Sequence, residues 1–370
     1  MSIQIEIIRK ERHLKGFLNL PRHIYRGNPN WVPPLISDIK KTLHPQKNPF
    51  FQHAQMTRMI AKKNGKIAGR ICAIHDHAHQ DYWQEPVGFF GFFECIDDQE
   101  VADTLIAAAA EWLRQRGIKT MRGPMNPSTN DSCGVLIDSF DVPPVLMMPY
   151  NPPYYNTLIE KAGLAKVKDL YAYKISKDDI PERIIRIGDK IAERINVNIR
   201  PVIIKDFKNE IERIRSIYNQ AWSKNWGFVP MTEAEFDHTA KDLKKIIDPQ
   251  LAFIAEDEGQ AVGFSLALPD LNIALKHLNG RLFPFGILKL LYYSRKINCA
   301  RVITMGVVEG YRNRGIDILF YLESLRRAVA NGYNWGELSW VLEDNDAMNK
   351  AIEMVGGKVY KRYRIYEMPL

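Results

Sequence analysis

The segment Val308-Glu-Gly-Tyr-Arg-Asn-Arg-Gly-Ile-Asp317 lies between two stretches with different apolar patterns. Residues 302–308, before it, form an apolar run of strand length, whereas the stretch after it is amphipathic with helical spacing. The apolar positions of that second stretch are Ile318, Leu322, Leu325 and Val329. A strand, a loop and a helix in this order predict a βα unit, the building block of an α/β fold.

This βα loop carries a glycine and two arginines where the helix begins. The first backbone N–H groups of a helix lack an intrahelical partner and stand at the positive end of its dipole. Such an end binds a pyrophosphate, and Gly315 would let the backbone approach it closely. Arg312 and Arg314 would add charge-assisted hydrogen bonds. The loop alone is equally consistent with an ordinary βα turn that carries two solvated arginines.

An internal repeat supports a duplicated fold. Residues 156–163 (NTLIEKAG) align without a gap with residues 349–356 (NKAIEMVG), at an offset of 349 − 156 = 193. The same offset pairs Tyr173 with Tyr366, and Lys168 with Lys361. Each copy is predicted to be a short helix that ends at a glycine and is followed by strands.

Upstream segments of the two halves also correspond. The predicted helices end at Gly117 and Gly332, and 332 − 117 = 215 exceeds the offset of 193 by 22, which fits an insertion around residues 126–144. The first helix places Leu105, Ala108, Ala109, Trp112 and Leu113 on one face. The predicted strands are residues 57–61, 66–73 and 87–94 in the first half, and residues 251–256, 261–267 and 302–308 in the second.

These patterns predict an α/β fold with a mixed sheet and helices on both faces, present as two tandem domains. We place the first domain at residues 1–175, a linker helix within residues 176–196, and the second domain at residues 197–370. A chain of 370 residues is long enough for two domains.

The loop resembles the R/Q-x-x-G-x-G/A loop of GCN5-related N-acetyltransferases (GNAT), with Arg312 and Gly315 at the matching positions. Residues 342–345 (LEDN) close the next strand, as in that family. Three further segments are similar to bacterial two-domain (tandem) GNAT proteins: GFFGFFE at 88–94, NPPYY at 151–155 and YRIYE at 363–367. The resemblance covers the second half closely and the first half in topology only.

This resemblance implies an acyltransferase that uses acetyl-CoA or a longer acyl-CoA as co-substrate and an amine as acceptor, without a metal. It implies donor-binding residues in and beside the loop: Val307, Arg312, Asn313, Arg314, Gly315, Ile316, Asp317 and Asn345. A backbone N–H near residues 305–307 would bind the thioester carbonyl.

Three positions depart from the family pattern. Asp317 stands where the family has glycine or alanine, which leaves a carrier-protein-bound acyl donor open as well as CoA. Ile352 stands where many members have a general-acid tyrosine. The first-half loop, residues 96–100 (IDDQE), has three carboxylates and no glycine. The first domain is therefore expected to be a degenerate copy that shapes the acceptor pocket.

Catalysis needs a base for the amine and a proton donor for the leaving thiolate. Glu343 is the preferred base, although a solvated strand-end carboxylate is the alternative. Tyr363 is a candidate donor, as is Tyr366, although aromatic sheet packing also accounts for both. Trp222, Trp226 and Phe228 would form an apolar acceptor wall or a core anchor. Residues 75–79 (HDHAH) would place three histidines on one strand face, but a polar strand end explains them better than a metal.

A basic, apolar segment lies in the second half. No Asp or Glu occurs between Leu271 and Val308. Residues 280–296 within this stretch combine a long apolar run with four basic residues. This composition is typical of an interfacial helix on anionic lipid or of a lid over an acyl channel. The alternative is a buried helix that joins the two halves. Nucleic acid is disfavoured as a partner because no nucleic-acid motif accompanies the positive charge.

The predicted function is N-acyl transfer from acyl-CoA to a small-molecule or lipid-like amine. A non-catalytic acyl-CoA-binding or regulatory protein and a tRNA-dependent aminoacyl transferase of tandem GNAT type are the alternatives. Four cysteines without CxxC pairing, no signal peptide and no transmembrane run predict a cytoplasmic protein that contacts the inner membrane peripherally or not at all. The acceptor, the acyl length and the oligomeric state are not encoded in any motif.

Overall fold

The computed structural model describes residues 2–370, except the side chain of residue 12. The chain divides into two compact units. Unit 1 contains the chain up to Leu170 together with Leu275–Leu290 and Arg362–Leu370. Unit 2 contains Tyr171–Ala274 and Leu291–Lys361. The unit boundary near residue 170 lies close to the predicted end of the first domain, but each unit also takes in segments that are distant in sequence.

The first part of the chain alternates between strands and helices in the order that follows. Its elements are β1 (Ile3–Ile7), α1 (Leu14–Ile24), α2 (Ile36–Thr42), β2 (Ala54–Lys63), β3 (Lys66–Asp76), α3 (His77–Trp83), β4 (Val87–Cys95), α4 (Gln99–Arg114), β5 (Thr120–Gly123), β6 (Val135–Leu136), α5 (Tyr154–Lys161) and β7 (Ala165–Ser176).

The second part repeats this alternation. Its elements are α6 (Glu182–Arg194), β8 (Asn198–Pro201), α7 (Phe207–Ala221), α8 (Glu233–Leu243), β9 (Ala252–Asp257), β10 (Gln260–Pro269), α9 (Asn272–Leu275), α10 (Gly286–Ser294), β11 (Cys299–Val307), α11 (Ile316–Ala330), β12 (Trp335–Leu342), α12 (Asp346–Met354) and β13 (Lys358–Pro369). The predicted hairpins and βα units are present, with ends shifted by a few residues. The helix predicted as a linker is α6, which lies within unit 2 and packs against α11.

The sheet of unit 1 has the strand order β1-β2-β3-β4-β5-β13. Only β4 and β5 pair in parallel, from Val87 to Phe89 on β4; the other neighbours are antiparallel. Helices cover both faces of this sheet. Adjacent residues of β3 point to opposite faces, and they contact different helices. A Cβ on Gly69 would meet Leu105 of α4, whereas Arg70 donates a hydrogen bond to the Phe17 carbonyl of α1. The predicted mixed sheet with helices on both faces is confirmed.

The sheet of unit 2 has the order β7-β12-β11-β10-β9-β8 and the same plan. Here β11 and β12 form the parallel pair, and β8 to β11 are antiparallel neighbours. Gly263 of β10 faces Phe320 of α11, while its neighbour Phe264 packs against Trp222 beside α7. Phe320 is fully buried at the centre of the core of this unit. The two units are therefore two copies of one α/β architecture.

Each unit is completed by a strand from the other half of the sequence. Residues 362–370 of β13 belong to unit 1, where Tyr366 pairs with Gly123 of β5. Tyr171 and the residues that follow it in β7 belong to unit 2. The predicted order of strands was right, but the exchange of these terminal strands was not foreseen.

Hydrogen bonds between the repeated asparagines and tyrosines stabilise these exchanged strands. The Tyr366 hydroxyl donates to Asn156 Oδ1 (3.1 Å) in unit 1, and the Tyr173 hydroxyl donates to Asn349 Oδ1 (2.9 Å) in unit 2. Each asparagine also donates from Nδ2 to a leucine carbonyl, at Leu136 and Leu342 respectively. Residues related by the offset of 193 thus make the same bonds, each asparagine with the tyrosine of the other repeat.

The sequence suggested that residues 75–79 place three histidines on one strand face. The structure does not show this arrangement. β3 ends at Asp76, whose side chain caps α3 by accepting from the Ala78 N–H, and His77 and His79 are already helical. His75 Nε2 lies 2.8 Å from Gln80 Oε1. Among residues 2–370, no group of three or more His, Cys, Asp or Glu side chains is arranged to hold a metal ion.

Asn156→Ala and Asn349→Ala are expected to lower the free energy of unfolding by similar amounts, about 1–3 kcal/mol each. Each substitution removes two hydrogen bonds, one from a tyrosine hydroxyl and one to a leucine carbonyl. The measurement is urea denaturation of the purified variants. Asn331→Ala, at an exposed helix end, is the matched control and should change stability by about 0.5 kcal/mol or less. A large effect at only one of the two asparagines would contradict the equivalence of the repeats.

Candidate functional site

The site of unit 2 is a cleft that opens where β11 and β12 diverge. The two strands pair in parallel from Cys299↔Trp335 to Val302↔Leu338, and their register ends there. Beyond this last pair, a cleft of about 360 Å³ lies between them. Its walls come from β11, β12, the loop before α11 and the start of α12. Parallel strands that separate in this way create a slot lined by backbone groups that have lost their neighbour.

The loop before α11 forms one end of the cleft, and Arg312 fixes its position. The Arg312 guanidinium donates to the carbonyl of Val307, at 3.3 Å, and to the carbonyl of Ala221 at the end of α7, at 2.8 Å. These bonds tie the loop to β11 and to α7. Arg312 therefore has a structural role in this conformation, in addition to lining the cleft.

Gly315 is the N-cap of α11 and has φ = 84°. This left-handed conformation favours glycine, and no side chain caps the helix. The N–H groups of the first turn, at Ile316, Asp317 and Ile318, therefore have no intrahelical acceptor. A Cβ on Gly315 would meet Ile191 of α6 at 2.7 Å. The backbone angle and the contact with α6 require the glycine here, rather than close approach to a ligand alone.

The predicted donor residues mostly line the cleft. Val307, Arg312, Asn313, Ile316, Asp317 and Asn345 do so. Arg314 is exposed outside the lining, and its guanidinium stacks over Tyr311, 4.6 Å from the ring centre. Asn345 caps α12 by accepting from the Met348 N–H.

The matching place in unit 1 has a different chemistry. Asp98 is the N-cap of α4, and its carboxylate accepts from the Val101 N–H and from Lys63 Nζ. Beyond the last parallel pair, Phe89↔Arg122, the Met125 backbone packs directly against Gly91. The helix end of unit 1 is therefore already occupied by its own carboxylate, whereas that of α11 has no side-chain cap.

A buried polar network lies at the base of the cleft in unit 2. Ser339 lines the cleft, and its hydroxyl donates to Glu337 Oε1 at 2.5 Å. Glu337 is fully buried, and it also accepts a hydrogen bond from the Tyr360 hydroxyl. The Arg301 guanidinium balances this carboxylate, 3.7 Å away, and donates to Ser339 Oγ at 3.0 Å. The Ser339 hydroxyl thus connects the buried Glu337 carboxylate to the cleft.

Sequence reasoning missed this network. The available signal was the alternation in β12, where Glu337 and Ser339 are two residues apart and so share a face of the strand. Arg301 on β11 becomes their neighbour only through the parallel register, in which it pairs with Glu337.

Two further polar groups and one apolar side chain define the middle of the cleft. Thr304 Oγ1 is buried and has no hydrogen-bond partner among residues 2–370. The Tyr321 hydroxyl lies 2.9 Å from Met348 Sδ, and burial, with a further contribution from the Asp317 carboxylate, raises the pKa of this phenol. Ile352 also lines the cleft.

The predicted catalytic residues are not brought together. Glu343 follows β12 but is not among the residues that line the cleft. Tyr363 is fully buried in unit 1, where it pairs with Leu136 of β6. Tyr366 is likewise in unit 1, bonded to Asn156 and Glu160. The interpretation of both tyrosines as packing residues of a sheet agrees with these positions.

The predicted acceptor wall is only partly present in the cleft. Trp222 lines the cleft and packs against Gly306 and Phe264. Phe228 is buried against Tyr218 in the α7 layer, and Trp226 does not belong to the cleft lining. Trp222 is therefore the one member of the three that contacts the candidate site.

The basic apolar segment, residues 280–296, is exposed. Large apolar side chains in it are more than half exposed: Phe283, Phe285, Leu288, Leu291 and Tyr292. Its first residue is fixed, because the Ile36 N–H donates to the Gly280 carbonyl at 3.1 Å. The alternative of a buried joining helix is therefore wrong. None of the helices within residues 2–370 combines the length and apolarity needed to cross a bilayer.

Comparison with known proteins gives the family. The chain is 38% identical, over 98% of its length and 96% of the relative, to the bacterial ceramide synthase of Caulobacter vibrioides (strain NA1000 / CB15N). It is 37% identical, over 96% of its length and 92% of the relative, to protein YghO of Escherichia coli (strain K12). The chain belongs to this ceramide synthase family. No model of a protein family matches the chain.

The fold of the chain is that of a tandem GNAT protein. The structure of a tandem GNAT protein from the clavulanic acid biosynthesis pathway superposes on 100% of the chain and 98% of its own length, with a TM-score of 0.59 and 12% identity. At this identity the likeness concerns the fold alone. Family and fold together identify the protein as an N-acyltransferase of GNAT type, as the loop motif had indicated.

Proposed function

We propose that the protein transfers a long acyl group from acyl-CoA to the amino group of a lipid-like amine. The observation that carries this proposal is the full-length relationship to a bacterial ceramide synthase. A ceramide is the amide of a fatty acid and a long-chain amino alcohol, so its synthesis is an N-acylation. The cleft of unit 2, with its uncapped helix end, supports a thioester donor.

The donor would bind with its pyrophosphate at the start of α11. The N–H groups of Ile316, Asp317 and Ile318 are oriented by the helix, and the helix dipole favours an anion there. Arg314 lies in the same loop. Its guanidinium stacks on Tyr311 and is exposed at the surface of the loop, where its charge would attract an anion. The Asp317 side chain opposes an anion, so its carboxylate must point away from the phosphates. At the start of α4, the corresponding helix of unit 1, a pyrophosphate would meet the carboxylate of Asp98, which repels it.

The pantetheine arm would then run between β11 and β12 toward their last pair. Residues of β11 beyond Val302 keep their pairing with β10 but have left the register with β12. Backbone N–H groups on that side, near Met305 and Val307, are placed to donate to the thioester oxygen. Preorganised donors of this kind stabilise the negative charge that develops on the oxygen during attack.

The Ser339–Glu337 pair supplies the path for the amine proton. The amine nitrogen attacks the thioester carbon, and the tetrahedral intermediate expels the CoA thiolate as the C–S bond breaks. The proton lost by nitrogen passes through the Ser339 hydroxyl to the Glu337 carboxylate. The CoA thiolate takes up a proton from solvent, and Glu337 returns its proton to solvent through Ser339, so that the products are the amide and the free thiol. The Tyr321 phenol, whose raised pKa keeps it protonated, is placed to donate a hydrogen bond to that thiolate.

Transfer itself is measured by incubating the protein with palmitoyl-CoA and sphinganine, and following thiol release and amide formation. Ser339→Ala should lower kcat by about 10²-fold, because it interrupts the proton path. Ser265→Ala is the matched control. Ser265 is also buried, on β10, the strand next to β11, but it does not line the cleft. Its substitution should therefore leave kcat unchanged. Equal activity of the two variants would contradict the proton path, and no thiol release with any acyl-CoA would contradict the function.

Gly315→Val should weaken CoA binding by about tenfold or more, or 1.4 kcal/mol, because valine resists the positive φ and displaces the start of α11. Gly310→Val is the matched control in the same loop, where an added Cβ meets nothing within 4 Å and φ is not positive. Isothermal titration calorimetry with CoA gives both affinities. If the two variants bind CoA equally well, the donor site is not at this helix end.

The lipid-like acceptor would reach the enzyme from a membrane surface. The exposed apolar side chains of residues 280–296 alternate with Arg281, Lys289, Arg295 and Lys296, and no acidic residue interrupts them. An apolar helix face flanked by cations binds the interface of an anionic bilayer by burial of its apolar side chains and by charge attraction. A long-chain amine is dissolved in such a bilayer, so membrane contact brings enzyme and acceptor together.

The triple variant Phe283→Ser/Phe285→Ser/Leu288→Ser is expected to lose binding to vesicles of anionic phospholipid in a cosedimentation assay at low salt. Loss of about 1.5–3 kcal/mol of apolar burial per side chain outweighs the remaining charge attraction. The control is Ile7→Ser/Ile203→Ser, which removes exposed apolar side chains elsewhere and should not alter binding. Wild-type protein that stays in the supernatant would contradict membrane contact and make a soluble amine the acceptor.

A further inference from the structure

A second cleft, which we call the basic cleft, is formed entirely by residues of unit 1. One wall is the end of α1 with the loop that follows it, residues 22–33, and the other is the loop of residues 276–279. The basic cleft has a volume of about 370 Å³ and is open to solvent. It takes no part in the acyl transfer proposed above.

The basic cleft is positively charged. Arg22 and Arg26 line it from one wall and Lys276 from the other, and none of the described side chains in its lining is acidic. A fourth cation is close, because burial and then the positive charge of Arg281 lower the pKa of Arg22. Cations that converge on a concave surface without acidic residues between them attract an anion.

An aromatic pair gives the basic cleft a fixed wall. Tyr25 and Trp31 stack, with ring centres 4.8 Å apart and ring planes 6° from parallel. Tyr25 is buried, and its hydroxyl donates to the Tyr150 carbonyl at 3.1 Å. Asn28 Nδ2 donates to the Tyr150 hydroxyl at 3.2 Å. These bonds hold the loop after α1 in place, so the shape of this wall is set before any ligand binds.

The other wall continues directly into the exposed apolar segment, residues 280–296. The Arg22 guanidinium donates to the Asn279 carbonyl and thereby joins the two walls. Gly280 has φ = 66°, and a Cβ there would meet the Pro34 carbonyl oxygen at 2.7 Å. The glycine lets the chain pass close to residue 34 before it emerges at Phe283, which is 75% exposed. The basic cleft therefore adjoins the first exposed apolar side chains of the segment.

We propose that the basic cleft binds the phosphate of an anionic phospholipid headgroup while the apolar side chains of residues 280–290 enter the bilayer. The proposal rests on the membrane contact proposed above as the route of the acceptor. Guanidinium and ammonium groups bind phosphate by charge-assisted hydrogen bonds. In a bilayer the phosphates lie just outside the hydrocarbon, which is where cations next to inserted apolar side chains are placed. Tyr and Trp side chains such as Tyr25 and Trp31 suit this boundary between apolar and wet surroundings.

A headgroup site adds selectivity to membrane binding. Exposed cations spread along a segment are attracted to any anionic surface and do not distinguish one headgroup from another. A cleft with fixed walls does, because its cations meet on one phosphate. A bound headgroup also gives unit 1 a second point of contact beside the apolar segment, which fixes the orientation of this unit on the membrane.

The test is cosedimentation with phosphatidylcholine vesicles of equal negative surface charge, which contain either phosphatidic acid or oleate, whose charge is on a carboxylate. We expect the wild type to bind the phosphatidic acid vesicles about tenfold more tightly. Arg26→Gln/Lys276→Gln should abolish this preference, and both side chains are exposed, so the fold is kept. Arg295→Gln/Lys296→Gln is the matched control. It removes the same charge from the apolar segment outside the basic cleft, and should weaken binding to both vesicles alike.

A wild type that binds the two vesicles equally well, or equal losses of preference in the two double variants, would overturn the headgroup site. Such results leave membrane binding by the wild type intact. They are therefore distinguishable from failure of the proposed membrane contact, in which the wild type sediments with neither vesicle. Glycerol 3-phosphate distinguishes a lipid from a soluble phosphate ester. Calorimetry should show that it binds about tenfold or more weakly than phosphatidic acid vesicles, and equal affinity would overturn the assignment to a lipid.

Discussion

The Val302–Leu338 pair is the point on which the site depends. Up to it, β11 and β12 hold one another in parallel register, and beyond it they separate. The separation exposes backbone donors of β11 on one side, and it brings Ser339 of β12 into the cleft. Carbonyl binding and proton transfer would therefore both be arranged around one pair of residues.

The two units show how a duplicated fold can keep its architecture while the ends of corresponding helices differ in chemistry. Both contain a parallel strand pair followed by a helix, and both use an asparagine–tyrosine bond between the repeats. They differ at the start of that helix. In unit 1, Asp98 satisfies the free N–H groups and brings a negative charge; in unit 2, Gly315 leaves them open. One residue type at one position therefore decides whether an anion is attracted or repelled.

The fold was largely predictable, because periodicity and repetition are local properties of the sequence. The hairpins, the βα units and the glycine-terminated helices follow from patterns within about fifteen residues. The exchange of β7 and β13 was not predictable, because a strand pairs equally well with either copy of a duplicated sheet. Asn156 and Tyr366 come together only through this exchange, and no spacing in the sequence indicates it.

The position of the donor loop could be predicted from the sequence, but the polar residues that could move protons could not. Arg312, Gly315 and their neighbours were named because the loop resembles a known family motif, since a βα loop with glycine and arginine is by itself equally consistent with an ordinary turn. The Glu337–Ser339–Arg301 network was missed because it depends on a cross-strand register. Glu343 was preferred for its place at the end of a strand, but the direction of a side chain there is set by how the strand ends. The exposure of Phe283 and Phe285 likewise depends on tertiary packing, because an apolar run has the same sequence pattern in a core and on a surface.

The most direct test of the account is a crystal structure of the protein with a non-hydrolysable thioether analogue of palmitoyl-CoA. We expect density for the pyrophosphate at the start of α11 and for the thioether beside Val302 and Leu338, in the cleft between β11 and β12. Density for the nucleotide at the start of α4 in unit 1, or a thioether that lies outside this cleft, would contradict it.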